Sequence, residues 1–119
     1  MSGEASLSRL AGAGGLAWGT VLLADGDEAW HSTEHRTPDD IEQVAIRALG
    51  VRHLVQGFAQ LTAPRAASGP VIIIDLVHAA SMAALAAASP RHRRAAMVTG
   101  SVALVSAGLT HLSRRRGRP

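Results

Sequence analysis

Apolar residues in this chain gather into four long runs, separated by short segments that hold most of its charge, proline and polar residues. The runs cover residues 7–24, about 41–62, 70–88 and about 95–112. At ~1.5 Å rise per residue, about 20 helical residues match the ~30 Å hydrocarbon core of a bilayer. Each run is therefore predicted to be a helix that crosses, or nearly crosses, a membrane. In the first run Ala11, Gly15 and Gly19 recur at i, i+4 and i+8. That spacing makes one stripe of small residues, where another helix can approach closely. Arg9, the only charge within this run, lies near its start, where its stem can reach back to the interface. A cleaved signal peptide, with Ala24 before the cut, is the rival reading. Leu22 three residues before that cut, and the glycine-rich packing face, favour a retained helix.

The second run opens at Thr37-Pro38-Asp39-Asp40. Thr37 is the expected cap, Pro38 suits the first turn, and the acids suit the positive helix end, so a helix is predicted over 38–62. It stops before Pro64 and is the most polar of the four, with Arg52, Gln56 and Gln60 at i, i+4 and i+8 and His53 beside them. A turn is predicted over 63–69, after which Asp75, His78 and Met82 share one face of the third helix. The fourth helix carries the small residues Ala96, Gly100, Ala103 and Ala107, and a hydroxyl stripe of Thr99, Ser106 and Thr110. Residues 25–36 read as an acidic loop, with Trp30 at headgroup level, and residues 89–94 as a tight basic turn. The predicted fold is all-α: a polytopic membrane protein forming an antiparallel four-helix transmembrane bundle over 1–112, followed by a disordered basic tail at 113–119. If the second run does not span, a three-helix topology follows.

Composition matters through its distribution. The 47% hydrophobic content does not separate soluble from membrane chains, but eight of the nine acids lie at or before Glu42. All twelve basic residues are Arg, which together with much Ala and Gly suggests a GC-rich bacterial genome. The absence of cysteine excludes disulfides and thiolate chemistry. A net charge of +3 resembles that of a nucleic-acid binder, but the arginines are split between a turn and the tail without an aromatic platform, so no nucleic-acid partner is expected. With four spans, one side holds Arg9, Arg65, Arg114, Arg115, Arg116 and Arg118. The other holds Arg36, Arg91, Arg93 and Arg94, with Arg47 near that end. The positive-inside rule then places both termini in the cytoplasm, for a chain in the inner (plasma) membrane.

Asp75 is the only acid after residue 42, and it lies in the most apolar run. A carboxylate there is costly unless it is paired. With the turn centred near residues 66–67, Asp75 comes level with Phe58, and Arg52 sits about six residues, or ~9 Å, deeper. A long guanidinium side chain can bridge that gap, so Arg52, Gln56, Asp75 and His78 are the predicted buried polar cluster. Such a cluster either fixes helix register or serves a function such as a proton-coupled step or ligand anchoring. His31, Glu34 and His35 invite a metal reading, but a metal site needs more convergent ligands, and a solvated loop is the expectation. His53 and His78 fit poorly as haem ligands because their levels differ. Neither a catalytic triad nor a phosphate loop can be recognised, so no cofactor and no metal are expected.

The run Leu49-Gly50-Val51-Arg52-His53-Leu54-Val55-Gln56-Gly57, then Asp75-Leu76-Val77-His78-Ala79-Ala80-Ser81-Met82 and Pro90-Arg91-His92-Arg93-Arg94, resembles a pattern in small uncharacterised actinobacterial integral membrane proteins. Those proteins have a Gly-x-Arg stretch in helix two and an Asp in helix three. The resemblance covers most of residues 7–112; it implies a four-helix membrane fold and carries no established activity. Small multidrug exporters share the size and helix count, but their essential carboxylate is in helix one, where this chain has none. The expected role is a non-enzymatic accessory or assembly component acting by helix–helix contacts. Its expected partners are the lipid bilayer and a second copy or a larger membrane complex. The alternative is a small proton-linked transporter using Asp75, Arg52 and His78.

Overall fold

In the computed structural model, which describes residues 3–116, the chain is helical almost throughout. Helix α1 is Gly3–Glu34, α2 is Asp40–Thr62, α3 is Pro64–Ala88 and α4 is Arg93–Arg116, with a short 3-10 turn at Pro90–His92. The described residues contain no strand. The stretches Ser6–Glu34, Pro64–Ala88 and Pro90–Arg116 are long and apolar enough to cross a membrane; α2 does not reach that apolarity.

Helices α1 and α2 run in opposite directions in backbone contact. A Cβ on Gly57 would lie 2.5 Å from the Gly12 carbonyl oxygen, and one on Gly19 would lie 2.8 Å from the Gly50 carbonyl oxygen. Only glycine permits that approach. Nearer the other end, a Cβ on Gly26 would meet Ile46 Cγ2 at 2.6 Å. The stripe predicted at Ala11, Gly15 and Gly19 thus faces α2 of the same chain at Gly15 and Gly19, with Gly12 as its tightest further member. Helix α3 packs chiefly on α4, and α4 also on α1. By contrast α2 and α3, though joined by the single residue Ala63, touch sparingly and leave space between them.

Several element boundaries differ from the sequence expectation. Residues 25–34 are not a loop: Asp25 breaks the helical geometry (φ −131°, ψ 33°), but α1 resumes through Glu34. The acids Asp25, Asp27 and Glu28 favour the start of that second segment by their charge at its positive end. The cap of α2 is Asp39, not Thr37, because Asp39 and Glu42 form a reciprocal capping box: Glu42 N donates to Asp39 Oδ1 at 2.8 Å and Asp39 N to Glu42 Oε1 at 3.0 Å. The turn expected at 63–69 is instead Ala63 alone. Pro64 takes the first helical turn and Pro70 is accommodated inside α3. The expected tail at 113–119 is helical through Arg116, with Ser113 buried, and residues 117–119 lie outside the described residues.

The core is made of small and polar side chains. Its buried apolar members are Leu22, Ile46 and Val71 with four alanines, alongside Ser8, His53, Gln56, Gln60, Asp75 and Thr110. The large apolar side chains point outward, among them Phe58 at 63% and Ile73 at 64% exposure. On α2 the outward residues are Val44, Val51, Val55 and Phe58, while His53, Gln56 and Gln60 face inward. Its lower apolarity therefore comes from this polar inner face together with the exposed Asp40 and Arg47.

Candidate functional site

Three hydrogen-bonded links cross the interior between α2, α3 and α4. At the centre, Arg52 Nη2 donates to Asp75 Oδ1 at 3.0 Å and Gln56 Nε2 donates to the same oxygen at 2.9 Å. Towards the Ala63 end, Gln60 Nε2 donates to Thr110 Oγ1 at 3.0 Å, and that hydroxyl donates to the Ser106 carbonyl at 2.8 Å. Towards the other end, His78 Nε2 and Thr99 Oγ1 are 2.8 Å apart. Arg52, Gln56 and Asp75 are therefore brought together, whereas the hydrogen-bond partner of His78 is Thr99 on α4. The hydroxyl stripe of α4 supplies two of the links through Thr99 and Thr110.

The register explains how Arg52 reaches Asp75. The midpoint between positions 52 and 75 falls at the Ala63–Pro64 junction, where the chain turns. A longer turn had implied that Arg52 must lean about six residues along the bundle; the one-residue connection puts it level with Asp75. Asp75 is fully buried, with its side chain at 0% exposure, while the Arg52 side chain keeps 23%. Asp75 Oδ2, Gln56 Oε1 and Arg52 Nε have no hydrogen-bond partner among the described residues. Within the protein the cluster is paired but not saturated.

A cavity of about 570 Å³ lies between this cluster and the Trp30 end of the bundle. Arg52, His78 and Thr99 line its inner part; Trp30, Glu42 and His92 line its outer part.

That outer end is closed by a clasp that the sequence did not disclose. Glu42 is buried and receives both Arg36 amino groups, Nη1 at 2.7 Å and Nη2 at 2.6 Å. His92 Nε2 from the α3–α4 turn lies 3.0 Å from Glu42 Oε2, and Arg91 approaches Asp39 at 3.5 Å. Glu34 Oε1 accepts the Ala95 backbone N–H at 2.5 Å, and Arg36 stacks over the Trp30 ring at 5.1 Å. The Arg36 hydrogen bonds outweigh burial and hold the Glu42 carboxyl down at about 2. The signal was present as an acidic segment at 25–42 and a basic one at 91–94, but only an antiparallel fold makes them neighbours. Of the three residues that invite a metal reading, Glu34 is engaged with Ala95 while His31 and His35 are exposed. The described residues contain no group of three or more side chains arranged to hold a metal ion.

The class defined so far is an all-helical protein with a polar interior and three helices of membrane-spanning character. Comparison with family models, curated proteins and solved structures gives no match.

Proposed function

We propose that the protein is a multi-pass integral membrane protein whose four helices all cross the inner (plasma) membrane of a bacterium, with both termini cytoplasmic. The observation that carries this reading is the inverted distribution of side chains. In water each exposed large apolar side chain forgoes roughly 1.5–3 kcal/mol, and soluble monomers rarely present a continuous apolar surface of this kind. Lipid removes that cost and makes the polar interior the favourable arrangement. Helix α2 crosses with α1 because their backbones stay in contact from Gly12–Gly57 to Gly19–Gly50 and the Ile46 side chain then seats against Gly26. The molecule is 48 Å long, enough to pass through a ~30 Å hydrocarbon core with both ends outside it. Recovery of the intact chain in the soluble fraction after alkaline carbonate extraction refutes the reading.

The role is non-enzymatic and runs through the interior. Gly15 and Gly19 are occupied by α2, so the stripe serves the chain's own fold. The unsaturated Arg52–Gln56–Asp75 cluster beside a cavity supports the reading of a small carrier, linked to protons through Asp75. Arg52, Asp75 and His78 are also residues on which the resemblance to actinobacterial membrane proteins rests. Reconstituted vesicles provide the test: at equal amounts of folded, reconstituted protein Asp75→Asn abolishes proton-linked flux, and flux unchanged by that substitution rejects it. Gly14 and Gly108, around which nothing lies within 4 Å, favour a second reading as an accessory component or homo-oligomer that docks by an outer face. Specific co-purification from native membrane, lost on Gly14→Leu, distinguishes it.

A further inference from the structure

The cavity holds features that neither the fold nor register-fixing explains. Its volume of about 570 Å³ falls within the roughly 300–1,000 Å³ of small-molecule sites. Leu22, Ile46, Leu49, Met82 and Leu85 make its walls apolar, and the polar groups gather at the two ends. Asp75 does not line it. The inner end therefore presents the partly exposed Arg52 guanidinium, with His78 and Thr99 beside it, and keeps the carboxylate behind. That arrangement selects the ligand's charge. A cation at the inner end would meet a donor group and no acid, and at the outer end the Glu42 carboxylate is already held by both Arg36 amino groups. An anion would arrive where the guanidinium charge is already answered by Asp75, and the surplus charge would stand uncompensated at mid-depth. An uncharged acceptor has neither difficulty: a carbonyl oxygen takes a guanidinium N–H and needs no counter-ion.

The route of entry follows from the packing. Helices α2 and α3 share far fewer contacts than α1 with α2 or α3 with α4. Ala45 and Ala48 of α2 line the cavity and are also exposed, so the wall on this side is thin and built of small side chains. The two tryptophans of the chain, Trp18 and Trp30, both line the cavity, and Arg36 stacks on the Trp30 ring.

We propose that this cavity is a binding site for an uncharged lipophilic molecule bearing a ring or ketone carbonyl, taken from the bilayer between α2 and α3 and held with its oxygen on Arg52. The inference rests on the membrane reading and names the ligand class that the interior accepts.

The test uses the full chain in detergent or nanodiscs and a decyl-substituted benzoquinone as probe. Quinones quench indole fluorescence, and both indoles lie at the site, so occupancy reads as saturable quenching. A non-quenching long-chain ketone displaces the probe, whereas a fatty amine and a fatty acid of equal length do not. Ala45→Phe, which narrows the thin wall without touching the polar cluster, abolishes the saturable component. The double variant Arg52→Met/Asp75→Leu, which removes the pair together, weakens binding by about tenfold or more. Quenching that rises linearly and equally in wild type and Ala45→Phe is partitioning only, and overturns the proposal. Displacement by the amine, the acid or an unbrominated acyl lipid in place of the ketone overturns it too. If the double variant does not fold, the competition series on the wild-type protein decides. Failure of the membrane reading is separate, since carbonate extraction reveals it whatever binds.

Discussion

Arg52 and Asp75 pair at 3.0 Å across the sparsely packed boundary between α2 and α3, the one place where these neighbouring helices are tied at mid-depth. The carboxylate is fully enclosed and shares one oxygen between Arg52 and Gln56. Removing one partner strands the other's charge in a medium that solvates it poorly. Asp75→Ala is expected to lower stability by ~3–5 kcal/mol. The double replacement Arg52→Met/Asp75→Leu removes both charges and is expected to fall within ~1 kcal/mol of the parent. Unfolding in mixed micelles measures both; a single variant as stable as the parent means that the pair carries no structural weight.

The glycines of α1 and α2 do unequal work, and substitution separates them. At Gly57 a Cβ falls 2.5 Å from the Gly12 carbonyl oxygen and 2.9 Å from Leu16 N, with only backbone to yield. Gly57→Ala is expected to force the helices apart at a cost of ~1–3 kcal/mol. Gly14→Ala meets nothing within 4 Å, so its effect should stay within about 0.5 kcal/mol or be mildly stabilising. Equal melting shifts for the two variants would contradict the packing described for α1 and α2.

The clasp at Glu42 makes stability fall with acid. Its folded carboxyl titrates at about 2, below the ordinary 4.5, chiefly because Arg36 holds the ionised form. A depressed carboxyl stabilises fully above its unfolded value and loses that contribution as pH falls from about 4.5 towards 2. After allowance for solvent screening the loss is about 1 kcal/mol. Glu42→Gln removes this slope while leaving stability at low pH nearly unchanged. Melting curves of both proteins between pH 2 and pH 6 test it, and parallel curves would show that the clasp adds nothing.

His35 closes α1 in the left-handed region, at φ 58°, with its N–H donating to the His31 carbonyl at 2.8 Å. A side chain in that conformation costs roughly 1–2 kcal/mol, which glycine does not incur. His35→Gly is therefore expected to raise the melting temperature, corresponding to up to ~1 kcal/mol. A fall would show that the exposed imidazole contributes more than the backbone strain it imposes.

The sequence by itself determined the four helices, because each is a long apolar run bounded by charge or proline, and local periodicity needs no partner to be read. It also determined that Asp75 required company, since nothing in its own helix can answer a buried carboxylate. Tertiary structure decided the rest. Either Pro64 or Pro70 can open a helix, so the length of the α2–α3 turn, and with it the level of Arg52, depended on how the two helices pack. The partner of His78 was settled the same way, by the face that α4 turns inward. Glu42 looked like an ordinary first-turn acid. Its role arises only because antiparallel helices bring residues 36, 39 and 42 beside 91 and 92. The small-residue stripe showed that some helix must come close; that the helix is α2 of the same chain depends on Gly50 and Gly57 meeting it in register, a relation between distant positions that no local pattern records.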